Sequence, residues 1–324
     1  MKGVLLDQGS LQSSDLHLDN LIGEFDNFKA FDQTLSGQQL ERLKGSQIAL
    51  TNKVPLDRET LEQLPELRLI LVLATGTNII DLEAASQLGI AVCNNRDYST
   101  HSLVEHTLSL MLALARRLPA YQQRIANGDW QGADQFCLLD PPIIELHNKQ
   151  LGVIGAGASG TRLATVAQAL GMRTVALESN RPQKTSTTDL PRVSLDRLLK
   201  ESDVISVNCP LTETTRNLID ANALAQMKPE ALLINTARGG IINEADLAAA
   251  LMRGELGGAA LDVLSVEPPR DGNPLLDVVH PNLIITPHNA WGSREARQAL
   301  IDQSTEIVRR FKQGEVMNCV NQPN

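Results

Sequence analysis

The chain has 324 residues, of which 42% are hydrophobic and only 3% aromatic, and its formal net charge is -9. That length exceeds one average domain, and the apolar fraction is enough for large aliphatic cores, so two domains are expected. The acidic balance argues against nucleic acid or an anionic membrane as the main partner. No apolar run reaches membrane-spanning length, and the start lacks an export pattern, so a cytoplasmic location is expected.

Taken in chain order, the first hundred residues alternate strands at 3–6, 47–51, 69–74 and 90–93 with helices that include 37–43 and 79–88. Such alternation implies a parallel sheet covered on both faces. A long helix is expected over residues 102–126, opened by a capping box between Ser102 and Glu105. Val104, Leu108, Met111, Leu114 and Leu118 recur at helical spacing, while Leu103, Leu110 and Ala113 make a second face apolar. A helix apolar on several sides suits burial against a second subunit. Residues 128–148, with Trp130, Pro141 and Pro142, read as an irregular link. A second run of strands follows at 151–154, 173–177, 204–207, 231–235, 259–263 and 283–286. Helices at 161–170, 195–200, 221–226 and 244–252 separate them. The last helix, 294–312, has no strand after it and is free to return to the first domain. The expected fold is therefore α/β, with two doubly wound parallel-sheet domains.

The most specific local signal is Leu151-Gly-Val-Ile-Gly-Ala-Gly-Ala-Ser-Gly160, followed by a second strand and then by Glu178. A strand, a G-x-G-x-x-G turn, a helix and an acid at that interval make a dinucleotide-binding pattern. Gly155 permits the tight turn, Gly157 lets a pyrophosphate approach the backbone, and Gly160 lets helix pack on strand. The helix start offers N–H groups and a positive dipole end to phosphate. Glu178 would accept from the ribose hydroxyls and repel a 2′-phosphate, so NAD is expected in preference to NADP. Ser179, Asn180 and Arg181 are the residues that would tolerate the latter.

Open α/β sheets bind ligands beyond the carboxyl ends of their strands. Thr236-Ala-Arg238, Glu267 and Pro287-His288 follow predicted strands of the second domain, and Asp262 lies near the end of one of them, 259–263. Thr75-Gly76-Thr77-Asn78 follows a strand in the first, where it is expected to face the ligand cleft. An arginine, a carboxylate and a histidine suit hydride exchange with a 2-keto acid. The guanidinium grips the carboxylate in two-pronged fashion. The imidazole exchanges a proton with the carbonyl oxygen, and the acid orients it and favours its charged form. His101 and His106 read as structural or capping residues. Cys93, Cys137, Cys209 and Cys319 are widely spaced without a metal or redox pattern, so reduced thiols and no metal are expected.

These segments resemble the D-isomer-specific 2-hydroxyacid dehydrogenases along the whole chain. The likeness runs from Ala74-Thr-Gly-Thr-Asn78 and Asp81-Leu-Glu-Ala-Ala85 through Glu105-His106-Thr107, the glycine turn and Asn235-Thr-Ala-Arg-Gly239 to Glu267-Pro268 and Pro287-His288. The ending from Thr286 to Arg297 and the 74–78 loop are most similar to the glycerate dehydrogenase, or hydroxypyruvate reductase, subgroup. The resemblance implies Arg238, Glu267 and His288 as catalytic residues. It implies substrate contacts from Arg238, His288 and the backbone of Thr75, Gly76 and Thr77. Cofactor contacts are implied for Thr107, Ala158, Ser159, Cys209, Pro210, Thr236, Ala237, Arg238, Asp262 and His288, beside the glycines and Glu178. It also implies a flavodoxin-like substrate domain in two pieces, 1–98 and 293–324, a Rossmann dinucleotide domain over 99–292 that carries the dimerisation helix, and a homodimer. Ala158-Ser159 and Asn289 depart from the usual pattern, at the phosphate contacts and beside the histidine. The expected activity is reversible reduction of a small 2-keto acid, hydroxypyruvate or glyoxylate, to the D-2-hydroxy acid. The competing reading is a non-catalytic NADH-sensing protein on the same scaffold.

Overall fold

The computed structural model describes residues 1–179, 190–278 and 280–323. They divide into two units, Met1–Ser99 with Trp291–Asn324, and Thr100–Ala290. In the first unit β1 (Lys2–Leu5), β2 (Asn27–Ala30), β3 (Ile48–Thr51), β4 (Leu69–Val72) and β5 (Ala91–Asn94) form one sheet in the order β2-β1-β3-β4-β5, and every pairing is parallel. That is the flavodoxin-like order. In the second unit β6 (Gln150–Ile154), β7 (Arg173–Leu177), β8 (Arg192–Val193), β9 (Val204–Val207), β10 (Leu232–Asn235), β11 (Gly258–Leu261) and β12 (Leu283–Ile285) are again all parallel. Their order is β12-β11-β10-β9-β6-β7-β8. This is the Rossmann order with one strand added, and it reverses direction between β6 and β9.

Parallel strands covered on both faces must be apolar on both, and side chains alternate between two cores. In β10, Leu233 joins the cluster containing Leu199, Leu224 and Leu251, whereas Leu232 and Ile234 join the one containing Met111, Leu114 and Leu163. The first sheet does the same. Val4 and Ile70 face Leu43 and Leu61, while Leu5 and Leu69 face Leu300, Ile301, Ile307 and Val308 of the last helix, Arg294–Lys312. That helix is fastened to the first unit by Arg297, whose two Nη atoms donate to the Asp15 carboxylate at 2.8 Å each. No helix among the described residues is long and apolar enough to cross a membrane.

Two local expectations give way. The helix predicted over 102–126 is two helices, Thr100–Ala115 and Leu118–Ala126, separated by Arg117 at φ 56°. Pro119 explains the break, because its ring would collide with the carbonyl four residues back, at Ala115. The capping box does not form either, since Ser102 lies inside the helix and its hydroxyl donates to the Ala290 carbonyl at 2.7 Å. Edge strand β2 escapes the sequence reading because its residues are mostly exposed and carry no apolar alternation.

The strand that feeds the glycine turn is anchored at its start by Asp203. Its carboxylate accepts from Gln150 N at 2.8 Å and from Lys228 Nζ at 2.9 Å. Burial alone would raise this carboxyl, but the Gln150 N–H and the Lys228 and Lys149 ammonium groups outweigh it and hold it below its usual range. Asp203→Ala is expected to destabilise the second unit by about 1–3 kcal/mol near neutral pH, as measured by urea unfolding. A lowered folded value means that the stabilisation is complete above the unfolded carboxyl value of 3.8 and is lost as pH falls through the folded one. The difference between variant and parent should therefore shrink in acid. A difference that stays constant down to acid pH excludes the role given to the charge.

Candidate active site

All five residues of β6 are buried, and the chain emerges from it at Gly155 with φ +102°. A Cβ there would stand 2.7 Å from Asn208 C and Cys209 N, so the turn lies against the segment that follows β9 and includes Cys209 and Pro210. At Gly160 a Cβ would meet the Gly155 carbonyl oxygen at 2.1 Å, which is the close helix–strand contact the motif requires. Gly157 is different: a Cβ there would meet nothing within 4 Å. It is also the N-cap of the helix Ala158–Ala169 and supplies no side-chain cap. The arrangement fits a dinucleotide, with an open backbone at Gly157, Ala158 and Ser159, and helix-start N–H groups of the kind that hold phosphate. Glu178 follows β7 and is exposed, as a ribose contact must be. Ser179 is described beside it, whereas Asn180 and Arg181 lie outside the described residues.

Three neighbouring strands, β10, β11 and β12, deliver the remaining candidates at one edge of this sheet. After β10, Asn235 shapes the Arg238 turn from both sides, accepting from Ala237 N at 3.0 Å and donating to the Arg238 carbonyl at 2.8 Å. The Arg238 Nη1 donates to the Ala237 carbonyl at 2.7 Å, and Thr236 Oγ1 lies 2.9 Å from Thr107 Oγ1. After β11, Asp262 is 2% exposed and accepts from Thr286 Oγ1 at 2.6 Å, Asn289 N at 2.9 Å and Ala290 N at 3.0 Å. After β12, His288 adopts φ +52° and donates its backbone N–H to the Asp262 carbonyl at 2.8 Å. Its Nδ1 stands 2.5 Å from Glu267 Oε2, and Glu267 Oε1 accepts from Leu264 N at 2.8 Å.

The Arg238 and Glu267 loops touch. A Cβ on Gly239 would stand 1.9 Å from the Leu264 carbonyl oxygen, so only glycine allows this approach. Two residues join the network that the sequence reading did not assign to it. Glu244, in the first turn of the helix Glu244–Met252, accepts from Ser265 N at 2.6 Å, Ser265 Oγ at 2.7 Å and Asn273 Nδ2 at 2.6 Å, clamping the loop that carries Glu267. In sequence it reads as an ordinary first-turn helix acid. His106 Nε2 lies 3.1 Å from Thr286 Oγ1 and 3.7 Å from Asp262 Oδ1, which ties it to the His288 turn.

The remaining candidates, Thr75, Gly76 and Thr77, belong to the other unit, in the turn after β4. There the Thr75 carbonyl accepts from Asn94 Nδ2 at 2.6 Å and the Thr77 carbonyl from Ile80 N at 3.0 Å. Among the described residues no group of three or more His, Cys, Asp or Glu side chains could hold a metal ion.

The model of the D-isomer specific 2-hydroxyacid dehydrogenase NAD binding domain matches residues 108–290, more than half the chain. The chain is 44% identical over 323 residues to a glycerate dehydrogenase of Methylorubrum extorquens, with 98% of each chain covered. It is 36% identical to a hydroxypyruvate reductase of Blautia hydrogenotrophica, covering 99% of this chain and 100% of the other. The D-lactate dehydrogenase of Aquifex aeolicus, solved with NAD and lactic acid, superposes with a TM-score of 0.84. That match has 28% identity and covers 99% of this chain and 100% of that one.

The second and third glycines of the motif make opposite predictions. Gly157→Ala should leave the thermal melting point within a degree or two of the parent, because its new methyl meets no protein atom. The same variant should weaken NADH binding at least tenfold in a fluorescence titration, since the methyl takes the space left for phosphate. Gly160→Ala should instead lower the melting point, by forcing apart the helix and the turn. Unchanged NADH affinity in Gly157→Ala would remove the phosphate from this turn.

Proposed function

Because the chain belongs to the D-isomer specific 2-hydroxyacid dehydrogenase family, and so is an oxidoreductase of 2-hydroxy and 2-keto acids, we propose that it reduces hydroxypyruvate or glyoxylate with NADH. The reverse reaction oxidises D-glycerate or glycolate. The observation that carries this reading is the 2.5 Å contact between His288 Nδ1 and Glu267 Oε2, at the sheet edge that also bears Arg238 and the glycine turn. The names of the Methylorubrum and Blautia relatives favour the three-carbon keto acid.

The nicotinamide supplies the hydride when bound; the protein's own residues bind, orient and move the proton. The Glu267 carboxylate can only accept, so Nδ1 of His288 carries a hydrogen toward it, and Nε2 becomes the nitrogen that serves the substrate oxygen. In reduction Nε2 gives its proton to the carbonyl oxygen, and in oxidation it takes the hydroxyl proton back. Glu267 holds the Nδ1 hydrogen and fixes the ring plane. Arg238 grips the substrate carboxylate with two parallel N–H bonds, and the backbone N–H groups of Thr75, Gly76 and Thr77 are assigned to substrate binding. Gly155, Gly157, Ala158, Ser159 and Gly160 hold the pyrophosphate. Glu178 holds the adenosine ribose and selects NAD over NADP. Thr107, Cys209, Pro210, Thr236, Ala237 and Asp262 line the rest of the cofactor site. In this reading the unit Met1–Ser99 with Trp291–Asn324 is the substrate domain and Thr100–Ala290 the dinucleotide domain.

We propose a homodimer as the working assembly. Support comes from Leu118 at 53% exposure in the helix Leu118–Ala126, and from Phe136 at 88% and Leu139 at 76% in the irregular link that follows it. Large side chains this exposed in one segment mark an association surface more often than bare protein surface. Light scattering of the parent should give twice the chain mass, and Phe136→Asp combined with Leu139→Asp should shift it to one.

The activity is tested by following loss of dihydronicotinamide absorbance with hydroxypyruvate, glyoxylate, pyruvate and phenylpyruvate, each against NADH and NADPH. Hydroxypyruvate or glyoxylate with NADH should give the largest kcat/KM. Glu267→Gln should lower kcat roughly a hundredfold or more, in keeping with the loss of positioned acid–base help. Arg238→Lys should act chiefly on KM for the keto acid, since a point charge cannot reproduce the forked grip. No turnover with any of the four acids would end the proposal.

A further inference from the structure

Cys93 and Cys319 are 226 residues apart in sequence and directly opposite each other in space. They form an antiparallel bridge between β5 and the last few residues of the chain. The flanking bonds define the kind of pair. Asn94 N donates to the Asn318 carbonyl at 3.3 Å and Val320 N to the Val92 carbonyl at 2.9 Å, while the two cysteines exchange no main-chain bond. They therefore occupy a non-hydrogen-bonded site, where facing Cα atoms stand about 4.5 Å apart and side chains are at their closest. A disulfide needs Cα atoms roughly 4.4–6.8 Å apart, so the backbone need not move far, if at all.

We propose that Cys93 and Cys319 form a reversible thiol–disulfide pair that staples the C-terminal segment to the edge of the first sheet, with a peroxide or a small disulfide as the oxidant. The two sulfurs are unequal partners. Cys93 is 1% exposed, and its burial, with the Cys319 sulfur beside it, pushes its thiol up to about 12. Cys319 is only half-buried, and its Sγ donates to the Asn321 carbonyl at 3.2 Å, close to the surface. Cys319 is thus the sulfur that meets the oxidant, and Cys93 the one that resolves it. With hydrogen peroxide, the Cys319 thiolate attacks one oxygen, the O–O bond breaks, and hydroxide leaves to be protonated to water. The resulting sulfenic acid is attacked by the Cys93 sulfur. The S–S bond forms, the S–O bond breaks, and the second hydroxide leaves with the Cys93 proton as water. Two thiols have lost two electrons and two hydrogens, and one peroxide has become two waters. With oxidised glutathione the same bond forms by two exchanges, releasing two reduced glutathiones.

The surroundings show what the staple would secure. Residues 318–321 cover the open edge of β5. Main-chain bonds hold them there, as does Asn321, which accepts from Val92 N and donates to the Ile90 carbonyl, both at 2.8 Å. Arg96 Nη2 donates to the Cys319 carbonyl at 3.3 Å. Closing a loop this long removes much of the freedom of the unfolded chain, so the oxidised form should be the more stable one.

The test uses the full-length protein, reduced and then exposed to hydrogen peroxide or oxidised glutathione. Two of the four thiols should disappear, and proteolysis should release one linked peptide pair containing Cys93 and Cys319, short of two hydrogens. The melting point should rise by several degrees, and dithiothreitol should reverse all three changes. Cys319→Ser, at the half-buried position, should abolish the linked peptide and melt identically before and after oxidation. The proposal is overturned if all four thiols persist, if the Cys319→Ser variant still loses two, or if Cys319 ends as a sulfinic acid or glutathione adduct with Cys93 unlinked.

Discussion

Asp262 accepts from the Thr286 hydroxyl and from two successive backbone amides, those of Asn289 and Ala290, while its own carbonyl takes the amide of His288. At 2% exposure, a carboxylate without such donors would cost several kcal/mol. With them, the cost is offset and the turn has a single shape. The left-handed backbone of His288 depends on this. A φ of +52° is uncommon for a residue with a side chain, and it persists only where neighbouring bonds over-determine it. The imidazole is therefore aimed by a carboxylate that need not touch it.

The same economy explains why the candidate chemistry crowds into strand tips. Strands apolar on both faces leave no room for a functional group along their length, and the first polar positions come where each strand ends. Asp7 shows the same rule in the other unit. Placed just after β1, it accepts from Asn52 N at 2.9 Å and Lys53 N at 2.7 Å beyond the end of β3. Burial still raises its carboxyl above the ordinary range. In both sheets a buried acid binds the loop of a neighbouring strand.

What the sequence made legible was whatever depends on short-range pattern. Strands such as 204–207 and 259–263 stand out as apolar runs, and the glycine turn carries its own spacing, because each glycine answers a contact within a few residues or with the adjacent strand. Resemblance to a family then supplied positions such as Thr107 and Cys209, which no local pattern marks. What stayed hidden depends on long-range partners. Ser102 looks like a cap until the Ala290 carbonyl arrives from nearly two hundred residues away. Glu244 looks like a helix-start acid until Ser265 and Asn273 close on it. Cys93 and Cys319 show no motif spacing at all, and only the pairing of a terminal segment with β5 makes them neighbours. Edge strand β2 is missed for a complementary reason: with little to bury, it has no apolar period to read.

The Glu267–His288 contact is close but not dry, with 31% and 25% of the two side chains exposed. Water at such a pair weakens the electrostatic part of the contact relative to the protein interior. A ligand that covers the pair therefore does more than occupy space, because it removes the solvent that screens the carboxylate from the ring. The contact between the two side chains is then strongest when the pair is covered, and weakest when it is open to water. Loop rigidity is the condition for this gain. A loop free to swing would let the carboxylate follow the water away, and the Glu244 clamp together with the Gly239 contact denies it that freedom. Rigid loops around a partly wet pair let whatever covers it, rather than the open protein, set the strength of the contact.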